Sequence, residues 1–66
     1  MARMFVEGIV GRFDSPRAAA QILMRDLDTE ARQAGQRVIG DVSILEAPHP
    51  LVPGLVLRLE ADVEAV

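Results

Sequence analysis

The chain has no cysteine and one histidine among its 66 residues, and this most constrains how it can fold. A chain of this length buries only about 60% of the surface that its unfolded form exposes, so its margin of stability is small. Small proteins compensate with disulfides, a structural metal or oligomerisation. Disulfides are excluded without cysteine, and one histidine cannot complete a zinc site within one chain. The sequence therefore predicts a single domain, residues 1–66, that forms a homo-oligomer.

Composition and charge narrow the classes of partner. Half of the residues are hydrophobic, which is more than a lone domain of this size can bury. The net charge of −3 argues against a nucleic-acid partner. Neither a membrane-spanning run nor a signal segment is visible, so we expect a cytoplasmic protein that does not bind membranes. All seven cationic residues are arginine, which is typical of high-GC genomes such as those of actinobacteria or their phages.

Residues 16–34 predict one amphipathic helix. Ser15 is a favourable N-cap, and Pro16 suits the first turn because its missing N–H would have no partner there. Gly35 can adopt the left-handed conformation that ends a helix after about Ala34. At about 100° per residue, an apolar stripe is formed by Ala20, Leu23, Met24, Leu27, Ala31 and Ala34. The opposite side is polar and carries Arg17, Gln21, Arg25, Asp28 and Arg32.

Three segments predict β-strands: residues 4–13, 36–47 and 55–63. The first has apolar side chains on both sides, so we expect both of its faces to be covered. In the second, one face carries Val38, Val42 and Ile44, and the other carries Ile39 and Leu45 among polar residues. The third alternates regularly, with an apolar face formed by Leu55, Leu57, Leu59, Ala61 and Val63 and a charged face formed by Arg58, Glu60, Asp62 and Glu64.

The predicted fold class is α+β, a single β-α-β-β domain with one helix packed on a three-stranded antiparallel or mixed sheet. We place the third strand in the middle, because the connection over residues 47–54 can return it between the other two. Pro53-Gly54 in that connection is a type II turn signal. Gly8 and Gly11 predict a bend, a bulge or close approach by another backbone in the first strand.

The residues available for catalysis or metal binding are few. His49 stands between two prolines without an orienting partner in the sequence, and a solvated turn residue is the simpler interpretation. Glu60, Asp62 and Glu64 would place three carboxylates on one strand face, where calcium or magnesium is conceivable. A solvated face that discourages stray strand pairing is the preferred interpretation. We therefore predict no catalytic, metal-binding or cofactor-binding residue, no cofactor, and a protein that is not an enzyme.

The apolar residues that the helix cannot cover are more informative. Single exposed hydrophobic residues are common, but together these residues would form a patch larger than a soluble monomer usually exposes. Ile22 is included because it falls outside the apolar stripe of the helix. We predict that this set forms a subunit interface: Phe5, Ile9, Phe13, Ile22, Ile39 and Leu45.

Three short motifs resemble the dodecin family. They are the opening strand MFVEGIVG, the entry into an alanine-rich helix through Asp14-Ser15-Pro16, and the closing strand VLRLEADVE with Leu57, Leu59 and Glu60. The resemblance implies a hollow dodecamer that stores flavins or related aromatic ligands. The family's flavin site uses an aromatic residue in the second strand and a glutamine in the third. Here RVIGDVSILE has no aromatic residue and Val56 stands at the glutamine position, so no functional residue is carried over.

These observations predict a non-enzymatic, homo-oligomeric protein that acts by self-assembly or by binding another protein. The alternative is a dodecin-like oligomeric carrier of a small apolar ligand, flavin or metal. An enzyme with sites shared between subunits is a third class, which no residue supports.

Overall fold

The structure is a computed structural model that describes residues 2–11 and 15–66. Its elements are β1 (Ala2–Gly11), α1 (Pro16–Gln33), β2 (Gln36–Pro48) and β3 (Gly54–Ala65). The strands form one sheet in the order β1-β3-β2, and β3 is antiparallel to both neighbours. The predicted α+β class is therefore confirmed, as is the central position of the third strand.

The ends of α1 have the predicted chemistry. Ser15 Oγ accepts a hydrogen bond from the N–H of Ala18 at 3.3 Å, and Pro16 occupies the first turn. At the other end the N–H of Gly35 donates to the carbonyl oxygen of Arg32, and Gly35 has a φ of +70°. Glycine reaches this left-handed conformation without the steric cost of a Cβ. Both boundaries thus follow from local sequence.

The core lies between α1 and one face of the sheet. Its buried side chains are Val6 and Val10 of β1, Leu23, Leu27 and Ala31 of α1, and Leu57, Leu59, Ala61 and Val63 of β3. The alternation predicted for the third strand is confirmed. The predicted helix stripe was too wide, since Met24 is 45% exposed and Ala34 is an exposed cap residue. The stripe that contacts the sheet runs through buried Leu23, Leu27 and Ala31, with half-buried Ala19 and Ala20 packed against the same core.

An irregularity in β2 departs from the simple strand prediction. Ile39 pairs with Asp62 and Ser43 pairs with Glu60, so three residues of β2 stand opposite Ala61 alone. Gly40 lies within this bulge and has a φ of +70°. Because two extra residues are inserted, the side-chain alternation beyond the bulge keeps its phase. The predicted face assignment in β2 therefore survives, whereas a single extra residue would have reversed it.

The glycines of β1 do not produce the bend or bulge that the sequence suggested. β1 pairs with β3 over its whole length without a register shift. Gly8 instead admits the side chain of Leu23, whose Cδ2 atom would lie 3.0 Å from a Cβ at that position. The glycine allows a close approach, as one of the predicted alternatives had it, but the approaching group is a helix side chain rather than a backbone.

The connection between β2 and β3 is shorter than predicted, because β2 continues to Pro48 and leaves residues 49–53 as the loop. Gly54 has a φ of +143° and pairs with Gly11 of β1. A Cβ at Gly54 would lie 2.4 Å from the carbonyl oxygen of Val10. This glycine is therefore required by the approach of the β1 backbone as well as by its own conformation.

The sheet is longer than the helix that covers it. The molecule extends 39 Å along its longest axis, whereas an 18-residue helix is only about 27 Å long. Leu23 packs against Gly8 of β1, and Gly35 leads directly from the helix end into β2. The helix thus crosses from β1 to the beginning of β2 and leaves the far half of β2 uncovered. Among the described residues, no helix combines the length and the apolarity needed to cross a membrane.

Candidate interaction surface

The sheet face that points away from α1 is called here the outer face. Since successive side chains of a strand alternate between faces, it carries the neighbours of the buried residues. Strand register then places the following side chains on it: Arg3, Phe5, Glu7 and Ile9 of β1, Val56, Arg58, Glu60, Asp62 and Glu64 of β3, and Arg37, Ile39, Ser43, Leu45 and Ala47 of β2. This face holds most of the residues singled out from the sequence.

A network of ion pairs crosses the outer face. Arg3 donates from Nε to Glu60 at 3.2 Å and from Nη1 to Asp62 at 3.0 Å. Hydrogen bonds to Asp62 and then to Glu60 are the main reasons that the pKa of Arg3 is raised above its usual value. Arg37 pairs with Glu64. The three predicted carboxylates therefore do lie on one face, where each is paired with an arginine and Asp62 and Glu64 remain partly exposed.

Arg58 lies at the centre of this network. Its Nη1 atom is 3.6 Å from Glu7 Oε1, and its Nε atom is 2.6 Å from Glu60 Oε1. The Nε atom is buried, and within the described residues it makes ion-pair contact but no hydrogen bond. The guanidinium also lies over the ring of Phe5, 3.9 Å from the ring centroid. Such a cation–π contact contributes about 0.5–1 kcal/mol at an exposed site. Arg58 therefore holds Phe5 in place beside charges that are already paired.

Apolar side chains dominate the end of the outer face nearest the loop. Ile9 and Ala47 flank Val56 in one cross-strand row. Leu45 lies in the next row and lines a shallow depression of about 290 Å³ together with Glu7, Glu46, Ala47, Val56 and Arg58. Ile9 is 60% exposed and Leu45 is 50% exposed. Within residues 2–11 and 15–66, nothing covers this apolar end.

Four of the six predicted interface residues are brought to one face. Phe5, Ile9 and Leu45 are exposed there, and Ile39 is half-buried beside Asp62. Ile22 is exposed on α1, where it lines an open groove of about 390 Å³ with Ala18, Ala19, Ser15, Leu23, Gly8 and Ile9. Phe13 lies outside the described residues. The predicted set is thus divided between the outer face and the flank of the helix next to β1.

Among the described residues, five exposed large apolar residues were not among those predicted: Met24, Ile44, Leu51, Val52 and Val66. Ile44 opposes buried Leu59 on the helix side of the sheet, yet it is 52% exposed because α1 does not reach this part of β2. Met24 is exposed on the flank of α1 opposite Ile22. The exposure of Ile44 could have been expected from lengths alone, because a strand of 13 residues is longer than the helix that lies across it can cover.

His49 has a structural role that its neighbours in the sequence did not indicate. Its Nδ1 atom accepts hydrogen bonds from the N–H groups of Leu51 at 3.0 Å and Val52 at 3.1 Å. The backbone N–H of His49 donates to the carbonyl oxygen of Gly54. Since Nδ1 accepts, the proton of the neutral ring resides on Nε2. His49 therefore organises the loop between β2 and β3 and is more than a solvated turn residue.

The acidic and histidine side chains do not converge. Within residues 2–11 and 15–66, no group of three or more of them is arranged to hold a metal ion. Ser43 lies on the outer face opposite Glu60, while His49 lies in the loop beyond the ends of β2 and β3. The most extended feature available for function is therefore a surface, the outer face with its exposed apolar residues.

Comparison of the chain with known protein families, with curated proteins and with solved structures gave no match.

Proposed function

We propose that this chain is a non-enzymatic protein that forms a homo-oligomer and acts by self-assembly or by binding another protein. The observation that carries the proposal is the exposure of Phe5, Ile9 and Leu45 on one sheet face. Leaving apolar surface in water costs about 25 cal/mol for each Å². Association removes that cost and adds stability to a chain that has no disulfide.

The pairing of charges on the outer face supports the same proposal. A buried charge without a partner is strongly unfavourable, and charged residues are usually depleted at the centre of an interface. Here Arg3, Arg37 and Arg58 each have a carboxylate partner within the same chain. A second subunit can therefore cover this face without having to supply compensating charges, although desolvation of the ion pairs still opposes association.

The direct test is native mass spectrometry together with light scattering after gel filtration at micromolar concentration. We expect the wild type to be an oligomer and Ile9→Glu to dissociate it while it remains folded by circular dichroism. A desolvated carboxylate at Ile9 would have no partner and would disfavour association strongly. Leu51→Glu is the control, because Leu51 is an exposed loop residue. A wild-type monomer contradicts the proposal, and an unfolded Ile9→Glu variant would place Ile9 in a core.

A second candidate function is a dodecin-like carrier that holds a small apolar ligand, flavin or metal within its oligomer. It is supported by the β-α-β-β order and by the open groove beside Ile22, whose lining is mainly apolar. The same native mass spectra distinguish the two functions. Retained ligand or metal mass in the intact oligomer, or flavin absorbance of the purified protein, favours a carrier. A ligand-free oligomer favours self-assembly or protein binding.

A further inference from the structure

The two edges of the sheet differ in how well they are protected. Exposed edge strands pair readily with other chains, and proteins block them with bulges, prolines or charges. β2 has the bulge at Gly40 and ends in Pro48. β1 runs for ten residues without a register shift or a proline. In the part of the chain that the structure describes, β1 has β3 on one side and no strand on the other.

The charges on β1 are directed towards β3. Arg3 is bonded to Glu60 and Asp62, and Glu7 faces Arg58. Because these partners belong to the central strand, neither charge stands unpaired at the edge, although each side chain remains partly exposed. The free edge is bordered by exposed Phe5 and Ile9 on the outer face and by Ile22 across the groove on the helix side.

We propose that the β1 edge pairs with the β1 edge of a second copy of this chain, antiparallel about a two-fold axis, so that the two sheets join into one of six strands. This inference rests on the proposed self-assembly and specifies one contact within it, at the sheet edge; the burial of Ile9 and Leu45 on the outer face belongs to a separate contact. Directly opposed residues in an antiparallel pair point to the same face. On β1, the odd-numbered residues lie on the outer face and the even-numbered residues on the helix side. If both helices are to lie on one side of the joined sheet, odd-numbered residues must therefore oppose odd-numbered residues of the second copy, and even-numbered must oppose even-numbered.

Cross-strand charge selects the register. With the axis at Phe5, the two Phe5 rings are opposed, and Arg3 stands opposite the partner subunit's Glu7 on either side of them. Each favourable cross-strand pair of this kind contributes about 0.2–1 kcal/mol. Arg3 has N–H groups left for this contact, since its two hydrogen bonds use Nε and Nη1 of five available donors.

The neighbouring registers are less favourable. With the axis at Glu7, the Glu7 residues of the two subunits are opposed, and like charges at such positions are destabilising. With the axis at Val6, Phe5 is opposed to the partner subunit's Glu7 and no pair of opposite charges forms. The register centred on Phe5 also places the partner subunit's Ala2 beside Gly8, at the mouth of the groove lined by Ile22. A second copy of β1 therefore complements this edge in charge.

The absence of native cysteine permits a clean test by disulfide cross-linking. Only a residue on the two-fold axis meets its own copy, and directly opposed strand residues have Cα atoms at a distance that a disulfide can span. We expect Phe5→Cys to form a covalent dimer under mild oxidation, measured on non-reducing gels. Val52→Cys is the matched control, since Phe5 and Val52 are 49% and 47% exposed and Val52 belongs to the loop between β2 and β3 rather than to the proposed interface. Pairing should make the Phe5→Cys cross-link roughly a hundredfold faster at micromolar protein.

A second measurement leaves Phe5 intact. Arg3→Cys and Glu7→Cys chains should form few disulfides separately and cross-link efficiently when mixed, because positions 3 and 7 oppose one another only across the two subunits. Cross-linking of Glu7→Cys alone would overturn the register. An oligomer in which neither Phe5→Cys nor the mixture cross-links would overturn the β1 contact and leave the proposed self-assembly standing. A wild-type monomer would defeat both.

Discussion

At the scale of single residues, His49 has a local structural role that the sequence does not reveal. Its position between two prolines indicates an exposed turn, but not that the ring nitrogen replaces a backbone acceptor. In the structure Nδ1 binds two consecutive N–H groups of the loop. The geometry resembles an Asx turn, in which a short polar side chain accepts from the backbone two residues further on.

This contact gives a prediction with a matched pair of variants. His49→Ala should lower the free energy of unfolding by about 0.5–1.5 kcal/mol, the net worth of a typical hydrogen bond, because water replaces the lost acceptor at the exposed N–H groups of Leu51 and Val52. His49→Asn should retain most of that stability, since its amide oxygen can reach the N–H of Leu51. Urea denaturation followed by circular dichroism measures both. Equal losses in the two variants would show that the acceptor is not what His49 contributes.

At the scale of elements, α1 is held to the sheet by very few large side chains. Leu27 is 1% exposed and lies in the cluster formed with Leu57 and Leu59. Met24, one position outside that line, remains in solvent. The two residues have similar size and helix propensity but opposite environments, so substitutions at them separate packing from propensity.

Leu27→Ala should therefore cost about 2–5 kcal/mol and unfold much of the population, since the whole stability of so small a domain is of that order. Met24→Ala should change the free energy of unfolding by less than about 0.5 kcal/mol, the usual range for surface positions. Thermal and urea denaturation report both. Comparable effects of the two variants would mean that the helix is rotated from the orientation described here.

The elements differ in how well the sequence predicts them, for physical reasons. Ser15, Pro16 and Gly35 specify the helix ends through their own backbone preferences, and the alternation of residues 55–63 specifies the central strand. The bulge around Gly40 depends on pairing with Ala61, which no local pattern contains. The outer-face position of Phe5, Ile9 and Leu45 followed from alternation. Exposure of Ile44 did not, because it depends on where the helix crosses the sheet.

At the scale of the whole molecule, the monomer is elongated. Its radius of gyration is 12.6 Å, whereas a compact chain of this length has about 11 Å. An elongated shape increases the surface relative to the volume, and exposed apolar side chains lie on both faces of the sheet, with Ile9 on one and Ile44 on the other. The proposed association would cover part of this surface and would thereby couple folding to assembly.

That coupling makes the melting temperature a measure of assembly. If the folded state is an oligomer, unfolding includes dissociation, and mass action raises the melting temperature with protein concentration. For a dimer of this size the rise should be about 5 °C for each tenfold increase, from the unfolding entropy typical of globular proteins. Scanning calorimetry over two decades of concentration measures it. The Ile9→Glu variant should melt at a lower temperature that does not change with concentration, because its folded state is monomeric. A wild-type melting temperature independent of concentration would mean that the monomer folds alone and that its exposed apolar face contributes nothing to its stability.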